Sequence, residues 1–173
     1  MKWSYETTGS SGRRRKLALD GRIQLADIIS NAKRNEIGRW LSEAAGRLEV
    51  APEVIKTFQG MVFEIRQGYK SKGSKRQNAD IANAAIAYSQ GYFPVLLVLS
   101  TQIDADIVER YEHAKWFILQ GQLVSSPLNS TYAFTKEVIG YDLAGFFQRN
   151  SATLQATVAD ILHALLGTGA NDG

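Results

Sequence analysis

The 173-residue chain has no cysteine and only two histidines. The first absence excludes disulfides and thiolate-bound zinc, and it suits a reducing cytoplasm. The histidines, His113 and His163, stand far apart, and neither has a second nitrogen donor at metal-ligand spacing. Imidazole metal centres and Ser-His catalysis are therefore not expected. Long apolar runs are missing too. The longest, residues 93–99, is far too short to span a bilayer, and the N-terminus has no signal-peptide core, so no membrane partner is expected. One further absence is local. From Arg66 to Arg76 the chain carries Arg66, Lys70, Lys72, Lys75 and Arg76 without a single acid, the composition of a surface that meets phosphates.

What is present suits one hydrophobic core. Hydrophobic residues make up 45% of the chain, and a domain of this length buries roughly 70% of the surface its unfolded chain exposes. The net charge of +3 is modest, so any nucleic-acid signal lies in the clusters at 13–16 and 70–76 and not in the total. Residues 1–16, rich in Ser, Thr, Gly and Arg, read as a flexible basic arm before a single domain over 17–173. Apolar positions between 22 and 48 recur at helical spacing, which predicts one amphipathic helix or a bent pair. Two β-type stretches, 54–58 and 61–69, with Gln59-Gly60 between them, read as a hairpin. Ser74 can cap a helix running to 88, with Ile81, Ala84, Ala85 and Tyr88 on one face and Gly91 ending it. Residues 94–99 read as a strand covered on both faces. Strand, helix and strand thus form a crossover unit, followed by helices over 104–119, 131–138, 142–147 and 151–166.

The chemistry centres on Glu64, which lies among Val62, Phe63 and Ile65. A carboxylate in a β-favouring apolar run is costly to bury unless something positive meets it. A metal ion is one partner, and a structural ion pair with Arg66 or another basic neighbour is the other. Upstream, Pro52-Glu53 precedes Glu64-Ile65-Arg66 in an order and spacing that resemble the PD-(D/E)XK nuclease superfamily, specifically its type II restriction endonucleases. Glu53 stands where an aspartate is usual, and Arg66 where a lysine is. The Tyr69 to Lys75 loop, the following helix and the Gly91-Tyr92-Phe93-Pro94-Val95 strand are similar to the same enzymes, and among them resemble an ApaLI-like branch. Residues 116–121 and 131–143 resemble their helical tail. The resemblance covers about residues 49 to 147.

It implies an α/β fold with a small mixed central sheet flanked by helices, acting as a homodimer on double-stranded DNA. The implied activity is Mg²⁺-dependent, site-specific cleavage of phosphodiester bonds. Glu53 and Glu64 would hold the metal, with Asp20, Glu49 and Glu36 as rivals to Glu53, and Arg66 and Lys70 would complete the catalytic set. Such residue types make chemical sense, because a hard cation on carboxylate oxygens polarises the phosphate and activates the attacking water. Arginine stays protonated, so Arg66 can stabilise charge but is a poor base. Lys70, Ser71, Lys72, Ser74, Lys75 and Arg76 are expected to meet phosphates, and Gln77 and Asn78 carry side chains able to read adenine edges. The alternative is a DNA-binding protein on a nuclease fold that no longer cuts, favoured by Arg66 and by Gly73, where an acid is expected in related enzymes.

Overall fold

In a computed structural model, which describes residues 3–8, 14–68 and 74–167, four strands form one mixed sheet. β3 (Gly21–Gln24) runs antiparallel to β4 (Gly60–Arg66), and β4, β5 (Tyr92–Val98) and β6 (Phe117–Leu119) follow in parallel. The protein is thus mixed α/β, with the sheet flanked by helices. Every residue of β5 is buried, as its unbroken apolar run requires of a strand covered on both faces. β4 is joined to β5 through α3 (Ser74–Ser89), and β5 to β6 through α4 (Ala105–His113), so both parallel pairs have helical crossovers. At the end of α3 the chain reverses through Gly91, whose φ of 72° strains any residue with a Cβ.

Alternation along the strands sends successive side chains to opposite faces. Met61, Phe63, Phe93, Val95 and Leu97 pack against α1 (Asn31–Arg47) through Ile37, Trp40, Leu41, Ala44 and Ala45. Val62, Leu96 and Val98 turn the other way, toward Ala84 and Ala87 of α3 and Ile107 and Tyr111 of α4. Helix α1 starts at Ser30, whose hydroxyl accepts from the Lys33 N–H at 3.3 Å, and it gives way just before Glu49 at a φ of 53°. No helix among the described residues is long and apolar enough to cross a membrane.

Residues 22–28, expected at the start of the first helix, instead hold β3 and a short 3-10 turn before α1, and four further expectations from the sequence need correcting. First, residues assigned to a flexible arm form β1 (Trp3–Thr8), paired antiparallel with β2 (Arg14–Leu19). Trp3, Tyr5 and Leu19 are buried against Val62 and Tyr92, because a period of two places these apolar side chains on one face. Second, residues 54–58 make no hairpin with β4. Pro52–Ile55 is a short helix, α2, in which Pro52 takes a first-turn position and the Thr57 hydroxyl donates to the Val54 carbonyl at 2.7 Å. The true antiparallel partner of β4 is β3, on the far side of α1 in sequence. There Gly60 is needed because a Cβ would lie 2.0 Å from the Ile23 carbonyl oxygen.

Third, the helix expected over 104–119 ends at His113. Lys115 adopts a φ of 61°, and Trp116 leads into β6. Fourth, the inward face of α3 is made by Asp80, Asn83, Ala84 and Ala87, while Ala85 is exposed and Ile81 and Tyr88 only half-buried. Beyond β6 the chain turns through α5 (Thr131–Ala133) and a wider helical turn, Phe134–Ile139, into one long helix, α6 (Leu143–Gly167).

Candidate functional site

Glu64 and Arg66, two residues apart on β4, point to the face covered by α3, and both are largely buried. The Arg66 guanidinium pairs with Glu64 through Nη1 and donates to both carboxylate oxygens of Asp80 through Nη2, each at 3.2 Å. The Tyr111 hydroxyl donates to Asp80 Oδ2 at 2.6 Å, and the Trp116 indole donates to the Asp80 backbone carbonyl at 2.9 Å. One guanidinium is thus shared by two carboxylates, and two aromatic residues, Tyr111 of α4 and Trp116 just before β6, fix the second acid. Such a cluster endures in a low-dielectric interior only because each charge meets hydrogen-bond partners. Next to it, the Tyr5 hydroxyl from β1 donates to the Asn83 side-chain oxygen, tying the N-terminal strands to the same helix. Burial raises the Tyr5 pKa above that of an ordinary phenol, so the group stays a donor.

A third acid meets the strand from its other side. The β3–β4 register ends with Gly21 paired with Phe63, and Asp20 is the residue just before that pair. Asp20 Oδ2 accepts from the Ile65 backbone N–H at 2.8 Å, which holds this exposed carboxylate against β4 at the residue after Glu64. Glu53 is differently placed. It is exposed on α2, ahead of the N-terminal end of β4, whereas Glu64 and Arg66 occupy the C-terminal half of that strand. Glu36 pairs with Lys33 at 2.9 Å on α1, and Glu49 is exposed at the end of that helix.

Lys70, Ser71, Lys72 and Gly73 lie outside the described residues. Ser74, Lys75, Arg76, Gln77 and Asn78 form the first turns of the α3 backbone, and their side chains lie outside the description as well. The segment from Gly68 to Ser74 therefore leaves the carboxyl end of β4 and enters the N-terminus of α3. In open α/β sheets this is the end at which ligands bind. His113 and His163 are both exposed. Of the aromatic set in the second half, Trp116, Phe117 and Phe134 are core residues, and Tyr132, Phe146 and Phe147 are half-buried.

Sequence reasoning passed over Asp80, Asn83, Tyr111 and Tyr5. A signal for the first two was present, because Asp80, Asn83, Ala84 and Ala87 share one face at intervals of three, four and seven residues. An acid on such a face must meet a partner, and Arg66 on the preceding strand is within reach of it.

Asp20 and Glu64 offer two carboxylates, with no thiolate or imidazole, and this donor chemistry suits a hard divalent cation. Mg²⁺ in particular is commonly held by one or two carboxylates, with water and substrate phosphates filling its other positions. Among the described residues, no group of three or more His, Asp and Glu side chains is arranged to hold an ion. Compared with family models, with curated proteins and with solved structures, the chain finds no match.

Proposed function

We propose that the protein is a Mg²⁺-dependent endonuclease of the PD-(D/E)XK, type II restriction enzyme kind, acting on double-stranded DNA as a homodimer in the cytoplasm. The observation that carries this reading is Asp20, the residue before β3, bonded through its carboxylate to the backbone of β4 at Ile65, next in sequence to Glu64, in the half of β4 that leads toward the basic segment and α3. In the superfamily pattern one acid precedes a strand that carries a second acid and a cationic residue. Asp20 fits the role of the first acid better than Glu53, because its carboxylate is held against the strand that carries Glu64. Bound Mg²⁺ would polarise the scissile phosphate and lower the pKa of the attacking water.

The chain's own residues then have separate tasks. Asp20 and Glu64 hold the ion by their carboxylate oxygens. Arg66, protonated at every accessible pH, sets the orientation of Glu64 and adds positive charge where a phosphoryl group gains negative charge. Asp80 and Tyr111 keep that guanidinium in place. Lys70, Lys72, Lys75 and Arg76 neutralise backbone phosphates, and the first N–H groups of α3 favour an anion at the same end of the sheet. Incubation with plasmid DNA and Mg²⁺ tests the reading. Cleavage by the parent and its loss in Glu64→Ala support it, and intact DNA with the parent protein across diverse sequences refutes it.

A second reading, DNA binding without cleavage, is favoured by one specific feature. Arg66 engages Glu64 and Asp80 together, so the buried acid already has a cation. On this reading binding needs no Mg²⁺, and log K falls against log salt with a slope close to one unit per phosphate contact. Salt-dependent binding without cleavage selects it over the first.

A further inference from the structure

The last helix extends away from the packed body. From Ser151 to Leu165 every residue of α6 is exposed. Yet this stretch is apolar. Leu154, Val158, Ile161, Leu162 and Leu165 are between 44% and 69% exposed. Leu154, Val158, Ile161 and Leu165 follow one another at intervals of four, three and four residues, the repeat that keeps a seam facing a partner helix. A shallow apolar groove of about 400 Å³ runs along Leu154, Val158, Ala159 and Leu162 beside that seam. An isolated helical stretch of this length is marginal in water, and helices gain most of their stability by packing an amphipathic face.

The flanks indicate which partner fits. In a paired helix the positions beside the seam choose the partner by charge. Here they are Gln155, Thr157, Leu162 and Ala164, none of them charged. Asp160 and His163 are the only ionisable side chains from 151 to 167, and both fall outside the seam. An identical helix meets no repulsion at this surface, and an oppositely charged partner finds nothing to select it. Five half-exposed apolar side chains from each of two copies would cover on the order of 1,000 Å², the lower edge of a specific interface.

We propose that α6 pairs with α6 of a second copy through Leu154, Val158, Ile161 and Leu165. The pairing supplies a surface for the two-fold assembly of the proposed function, and it rests on that reading only for the number of chains.

Light scattering on the full chain after size exclusion tests it. The expected mass is that of two chains at micromolar concentration, falling to one on dilution with a loss of helical signal by circular dichroism. Ile161→Lys should raise the dissociation constant by about 30-fold or more, as loss of a central anchor does. Ala156→Lys, with the same charge placed off the seam, should leave it unchanged. A parent chain that stays single at high micromolar concentration overturns the proposal. So does an Ile161→Lys variant that remains double, and so does equal weakening by both lysines. An unchanged thermal transition of the body in Ile161→Lys shows that the variant is folded. Glu64→Ala keeps the mass of two chains if the seam is responsible, so loss of cleavage in that variant bears on the nuclease reading alone.

Discussion

The two faces of the central sheet are closed by different chemistry. Toward α1 the sheet is dry and aromatic. Trp40, Phe63, Phe93, Phe117 and Phe134 pack there with ring centroids from 4.4 to 6.1 Å apart. Toward α3 and α4 the same strands bury Glu64 and Arg66 with Asp80, Asn83 and Tyr111. The dry face gains stability from area and close packing, which need no particular partner. The polar face gains little net stability from its charges, because desolvation offsets most of their attraction. What such a cluster supplies is a fixed arrangement of charge, and its β4 residues stand in the half of the strand that precedes the basic segment in sequence.

This contrast can be broken in graded steps. Phe134→Ala on the dry face removes a ring that is 1% exposed and should cost about 3 to 5 kcal/mol, read as a lower urea midpoint with an unchanged slope. On the polar face, Arg66→Met leaves two buried carboxylates without their shared cation and should cost about 3 kcal/mol. Replacing Glu64, Arg66 and Asp80 together with apolar residues of similar size should restore most of that loss, since no charge is then stranded. A triple variant less stable than Arg66→Met would show that the cluster itself holds the fold. Tyr111→Phe, which deletes the hydroxyl on Asp80, should cost about 1.5 to 3 kcal/mol, the range for hydrogen bonds to charged groups.

The smallest effect is one of pH. Burial raises the pKa values of Tyr5, Tyr88 and Tyr132 above the ordinary phenol value of 10.0. In the unfolded chain these phenols ionise at their ordinary value, while in the folded chain they stay protonated. Their share of stability is therefore fully present below pH 10.0 and is lost progressively as pH rises through the raised folded-state values. Chemical denaturation at a series of alkaline pH values, with phenolate absorbance followed alongside, reads this directly. Stability that stays flat across that range would contradict it.

The same division decides how much could be read before the fold was known. β5 was legible because an unbroken apolar run from Phe93 to Leu99 has few structural uses. The crossover through α3 followed from its position between two β-type segments. The pairing of β3 with β4 was hidden, since α1 and α2 lie between them and no local pattern specifies a partner that distant. The α2 segment carries β-favouring Val54, Ile55 and Thr57, and only the proline at its start and the closing hydroxyl bond explain why it is helical. In the site, Glu64 and Arg66 were legible as an acid and a cation on one strand face. Asp80 and Tyr111 were not, because they matter only once α3 and α4 are laid over that face.

Mg²⁺-dependent DNA cleavage by Asp20→Asn, set beside Glu53→Gln, tests the central claim most directly, because only the first of these acids is held against the strand carrying Glu64. The account predicts that Asp20→Asn cuts at least 100-fold more slowly, on the order of 3 kcal/mol of lost transition-state stabilisation, while Glu53→Gln cuts at the parent rate. Parent-rate cleavage by Asp20→Asn, with loss of cleavage in Glu53→Gln, would contradict it.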